Sequence, residues 1–397
     1  MDIISISAAV ISLCVALLST RFISNSLVVP STHGRFLTID GLRGYLAFFV
    51  FLHHSCIWYY YLQTGVWAVP PSQLFVHFGQ DGVALFFMIT GFLFFSKLLD
   101  SRDSGLDWLR LYVSRFLRLT PLYFFSMILL FSIVFIMTKD GPAEPISKIF
   151  IGIIKWLSFT IFGGPELNGL QVSNLINAGV TWSLPYEWFF YIALPLIALV
   201  VGLRPPLPYL IVSALLIAAI FIYFSGSNYY WLFGGGMVAA VIVRFQRFRN
   251  FAISRWATAL VVVLVSYTVI HYPSLYGSTT AKVLLTIAFC LVAGGNSVFG
   301  ALKNRISRAL GEMAYSIYLL HGILLFVTFQ FVIGLPTTKG LTPLQYWAVI
   351  IMLAPVLILI CGATFRFLEK PAMKKVRPLT EWLRAKNSTP LAGEKTE

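Results

Sequence analysis

Ten residues separate Arg43 from His54 inside the apolar stretch Phe36–Leu62. Eleven steps of about 100° make about three helical turns, so both side chains fall on one face, roughly 16 Å apart in depth. Ionisable groups at bilayer depth are costly unless they line a cavity or find a partner. The pair therefore reads as a cavity lining, with a cation near one end and a deeper imidazole that can take up a proton near neutral pH. An arginine reaching back to the headgroups and a histidine bonded to a neighbouring helix fit the same spacing. Asp40, at the head of the stretch, is a further candidate.

Three other groups have types and spacings suited to chemistry. Arg115 and Arg118 share a helical face just before Pro121, and the planar guanidinium fork suits phosphate oxygens; anchoring at a membrane surface is the plain alternative. In the run Trp182-Ser183-Leu184-Pro185-Tyr186-Glu187, Pro185 suits a helix's first turn and Glu187 sits near its positive end. Ser183, Glu187 and Tyr191 then form a polar stripe, with Trp182, Tyr186 and Trp188 as an aromatic rim on which a sugar could stack. Tyr315, Tyr318 and His321 recur at i, i+3, i+6, a pattern that structural hydrogen bonding also explains. Glu369, before Pro371, reads as a helix-end salt bridge.

The elements that must hold these residues are membrane helices. Hydrophobic residues make up 58% of the 397 and charged residues 11%, against about 25% charge in soluble domains. Mean hydropathy is +0.83. A net charge of +14 could attract nucleic acid, but the basic residues lie in short loops, where the positive-inside rule accounts for them. No nucleic-acid partner is expected. Cys14, Cys56, Cys290 and Cys361 stand singly in apolar stretches without metal-like spacing, so no metal is expected.

Apolar spans run near 3–19, 36–62, 82–99, 119–138, 146–164, 180–201, 207–225, 229–244, 256–272, 281–300, 314–334 and 345–368. Basic loops alternate with weakly charged ones back from the C-terminus, which places the basic set in the cytoplasm. The dense basic loop from Lys97 to Arg118 joins that set only if 146–164 does not cross. That segment carries Lys148 and Lys155 and ends in Gly163-Gly164-Pro165. The expected fold is an all-α polytopic membrane protein with a ten-helix core and an extra N-terminal helix. Residues 1–34 hold that helix and a linker, 35–378 the membrane domain, and 379–397 a polar, disordered cytoplasmic tail.

Six stretches in order resemble the acyltransferase-3 family of bacterial membrane O-acyltransferases. They are DGLRGYLAFFVFLHH (40–54), GQDGVALFFMITGF (79–92), SRFLRLTPLYF (114–124), TWSLPYEWFFY (181–191), LGEMAYSIYLLH (310–321) and FLEKP (367–371). The family's Arg-ten-residues-His pattern falls on Arg43 and His54, its Arg-x-x-Arg pattern on Arg115 and Arg118, and its acidic signature on Glu187. Thr90 and Ala314 depart from a usual serine at each place, the leading helix is additional, and the esterase-like domain fused to some members is not present in this sequence. The resemblance implies a multi-pass protein of the bacterial inner membrane. It implies transfer of an acyl group, most often acetyl, from cytoplasmic acyl-CoA (acetyl-CoA) to a hydroxyl of a surface or lipid-linked carbohydrate. The implied catalytic set is His54, Arg43 and Glu187, with Arg115, Arg118 and Arg43 holding the donor and Tyr318, His321 and Asp40 as further candidates. A permease or flippase for a glycan or lipid-linked sugar would use the same polar cavity without chemistry, and stays open at this stage.

Overall fold

The computed structural model describes residues 2–25, 27, 36–139, 141–223 and 229–388. Most of the expected linker, Ser26 and 28–35, lies outside the described residues, as does the expected tail from residue 389. The helices are α1 (Ile6–Ile23), α2 (Leu37–Thr64), α3 (Gln73–Asp100), α4 (Trp108–Met137), α5 (Ile146–Leu157), α6 (Ser173–Ile176), α7 (Leu184–Val200), α8 (Leu207–Tyr223) and α9 (Tyr230–Ile242). They continue as α10 (Gln246–Ala252), α11 (Arg255–His271), α12 (Thr279–Ala293), α13 (Arg305–Glu312), α14 (Ala314–Val327), α15 (Leu335–Lys339), α16 (Pro343–Thr364), α17 (Lys370–Lys374) and α18 (Val376–Ser388). The ten expected core spans fall on α2, α3, α4, α7, α8, α9, α11, α12, α14 and α16, and the expected extra helix on α1. Among the described residues, six helices including α1 are long and apolar enough to cross a membrane, or seven if α10 and α11, bent 74° apart, form one span. The helices α8, α9 and α12 are shorter but apolar.

Local sequence accounts for the ends and contacts of these helices. Ser254, Ser278, Asn304 and Thr342 each accept a backbone N–H at a helix start, and Thr342 with Gln345 completes a capping box. On α1, Ala8, Ser12, Ala16 and Thr20 recur every fourth residue and are buried. Such a stripe of small residues lets helices approach closely in lipid, and α1 packs along α16. The helices α3 and α9 meet still more closely: a methyl at Gly91 would overlap the Phe233 carbonyl, and one at Gly236 the Met88 carbonyl.

The segment from α5 to α7 shapes the interior. At 12 residues, α5 reaches about 18 Å, short of a hydrocarbon core of about 30 Å. Its Ile146, Phe150, Ile151 and Ile154 are exposed while Trp156 is fully buried, the pattern of a helix lying in an interface. The chain then turns inward through Phe159 (φ 56) and Thr160 (φ 53), an uncommon conformation for residues with a side chain. The Tyr318 hydroxyl donates to the Val180 carbonyl (2.9 Å) and lies 2.8 Å from Ser183 Oγ. Gly322 sits directly on the Asn177 backbone, with no room for a methyl. Residues 177–183 are thus level with the middle of α14, and α7 begins inside the bundle.

At the other end of the chain, a π-helical turn over Phe365–Glu369 precedes Pro371, with Lys370 N–H reaching back to the Phe365 carbonyl. The wider turn leaves the Glu369 side chain facing the interior, fully buried. Disorder was expected after about Leu379, but α18 continues to Ser388 and packs on α4. Thr380 is buried there, and Arg384 pairs with Asp107 at 2.5 Å.

Candidate active site

Four helices bring the candidate residues together. Arg43 comes from α2, Arg115 and Arg118 from α4, Glu187 and Tyr191 from α7, and Tyr315 and Tyr318 from α14; all line one cavity of about 420 Å³. Arg115 and Arg118 lie seven and ten residues into α4, about 10 and 15 Å from its start. They are inside the bundle rather than at its surface mouth. Ser183, Glu187 and Tyr191 all face this cavity, so the polar stripe read from the sequence is real. The aromatic rim is not. Trp188 packs inward against Phe159 and Tyr191, whereas Trp182 and Tyr186 line a separate outer groove.

Charge in the cavity is compensated side chain by side chain, as burial demands. Arg118 Nη1 stands 3.5 Å from Glu369 Oε2 and 3.3 Å from the Met373 sulfur. The other Glu369 oxygen accepts from Ser316 Oγ. The Tyr191 hydroxyl donates to Glu187 and also meets Arg115. Arg115 lies over the Phe94 ring, 5.0 Å from its centroid, a cation–π contact that suits a planar guanidinium. Arg43 stands within electrostatic reach of Arg118, Asp40, Glu312 and Glu187. Asp40 does not line the cavity; it belongs to the first turn of α2, where its carbonyl packs on Gly311.

His54 does not line this cavity either. It lies farther along α2, where its Nδ1 is 3.0 Å from both the Val50 carbonyl and His321 Nε2. Trp67 lies parallel to it across 6.3 Å, and the His53 ring is 4.9 Å away. Tyr318 links the two regions. It lines the cavity, and its ring centroid is 6.3 Å from that of His321 on the same helix.

The sequence reading missed Glu312 and Thr90 in the lining. Both lie in stretches that carried the resemblance, and an acidic residue ending the short helix α13 was a usable signal for the first. The two departures from the family pattern, Thr90 and Ala314, both fall in this cavity.

Fold and site together define a polytopic membrane protein with an arginine-lined internal cavity. The family model for an acyltransferase domain, Acyl_transf_3, matches residues 36–366, most of the chain. The chain belongs to the acyltransferase-3 family and is a membrane acyltransferase. No curated protein and no solved structure matches it.

Proposed function

We propose that this protein moves an acyl group, acetyl in the simplest case, from cytoplasmic acyl-CoA to a hydroxyl of a surface or lipid-linked carbohydrate at the bacterial inner membrane. The observation that carries the reading is the convergence of Arg43, Arg115 and Arg118 on one cavity that Tyr318 joins to the His54–His321 pair. Three guanidinium forks in one cavity suit the phosphate oxygens of a CoA donor. The imidazole beyond them suits the acceptor end. The acceptor oxygen attacks the thioester carbonyl, the carbon–sulfur bond breaks, and the hydroxyl proton passes to His54 and then to the leaving thiolate. A permease needs no such thiol-ester chemistry, and family membership favours the enzyme.

The test is mass spectrometry of surface glycans from cells with and without the gene. The expected result is an acyl mass present on one glycan only when the gene is present. Identical glycan spectra would remove the carbohydrate acceptor from the account.

A further inference from the structure

We propose that His321 is a positioning residue for His54: it fixes the tautomer of that ring, directs its free lone pair to Nε2, and stabilises its protonated form. The inference rests on the acyl-transfer reading above, and it begins from hydrogen-bond directions. His321 is fully buried on α14, and its Nδ1 lies 2.9 Å from the Ile317 carbonyl one turn back. A carbonyl only accepts, so this nitrogen carries the ring hydrogen. In the neutral ring Nε2 then holds a lone pair, and it faces His54 Nδ1 at 3.0 Å.

That nitrogen of His54 meets a second acceptor, the Val50 carbonyl, also at 3.0 Å. Two acceptors converge on one atom, so Nδ1 of His54 carries its hydrogen. The lone pair of His54 is therefore on Nε2, the nitrogen that can receive a proton from an acceptor hydroxyl. The logic is that of a base held in one tautomer by a third group, with a neutral imidazole in place of a carboxylate. The titratable groups facing His54 are His321 on α14 and His53 on its own helix. His53 is turned away, its Nδ1 donating to the Phe75 carbonyl at 2.6 Å.

When Nε2 takes a proton, His54 becomes an imidazolium whose single Nδ1–H is shared between the Val50 carbonyl and the His321 lone pair. Hydrogen bonds from a charged donor are roughly twice as strong as neutral ones. His321 therefore favours the charged form of His54 over the neutral one, and that difference is what a general base needs. The proton count closes: the hydroxyl hydrogen rests on Nε2 and leaves on the thiolate, while the hydrogens on both Nδ1 atoms stay in place.

The experiment compares full-length wild type with His321→Gln, whose side-chain oxygen can reach the place of Nε2, and His321→Leu, which fills the space without an acceptor. Carbethoxylation of His54 by diethyl pyrocarbonate, followed across pH by peptide mass spectrometry, reads its protonation without using activity. Losing the acceptor disfavours the charged ring, so the midpoint in His321→Leu should move to lower pH, with His321→Gln nearer wild type. Acyl transfer should fall roughly tenfold to a hundredfold in His321→Leu, the scale of a lost hydrogen bond to a charged group, and less in His321→Gln. The donor KM should not change. An unmoved midpoint with equal losses in both variants would overturn the proposal and make His321 a packing residue. A wild type without acyl-CoA turnover would overturn the acyl-transfer reading instead, and the His54 midpoint would still decide the pairing.

Discussion

Arg118 carries two duties that substitution can separate. It lines the cavity, and it is the cation beside the fully buried Glu369. Arg118→Ala should raise the donor KM and also destabilise the fold, because removing one partner of a buried pair costs about 3–5 kcal/mol. Adding Glu369→Gln should restore much of the stability and none of the donor affinity. Thermal unfolding and donor KM on the two variants check this; a stability loss without a change in KM would return Arg118 to a structural role. Glu187 is the next test. It shares the cavity with the arginines and holds Tyr191, which meets Arg115, so Glu187→Gln should lower donor affinity together with acyl yield. Loss of yield at full affinity would place it on the acceptor side. These residues were legible because the family pattern and helical spacing pointed to them. The partners were not: Ser316 and Glu369 lie 53 residues apart, and His54 and His321 lie 267 apart. Neither local spacing nor composition specifies which faces meet over such separations.

Among the elements, the inward turn before α7 decides where the chemistry sits. Glu187, in the first turn of α7, is deep in the bundle, because Asn177 seats on Gly322 and Val180 bonds to Tyr318. That depth was hidden from hydropathy, since an interfacial helix, two left-handed turn residues and a short helix give the same apolar profile as a span. The placement makes a topological prediction. Cysteines introduced at Gly141 and Gly169, on either side of α5, should be labelled from the same, extracytoplasmic face by a membrane-impermeant thiol reagent. Labelling from opposite faces would reverse the amino-terminal half of the bundle. The helix α18 is the opposite case. Its polar sequence reads as a tail, yet Arg384 and the buried Thr380 hold it on the basic end of α4.

At the scale of the whole molecule, the chain is a membrane helix bundle with polar groups concentrated inside. Large apolar side chains such as Phe22, Phe135, Val200 and Trp256 are exposed on the outward faces of α1, α4, α7 and α11, as lipid contact requires. The interior holds three arginines, several carboxylates and a histidine pair on one course along α2, α4, α7 and α14. The all-helical membrane architecture was legible because length and hydropathy set it directly, although among the described residues only six or seven helices are long and apolar enough to cross. The course through it was not, because it depends on which helix faces pack together. On the proposed function, the two ends of this course act in one reaction, with donor phosphates at the arginines and proton transfer at His54. The most direct measurement follows radiolabelled acetyl-CoA in inverted membranes from a deletion strain carrying either wild type or His54→Ala at equal abundance. Wild type should move label from CoA to a membrane-associated or glycan fraction, and His54→Ala should do so at least about a hundredfold more slowly, the usual scale for a lost general base. Equal label transfer by the two proteins would contradict the account.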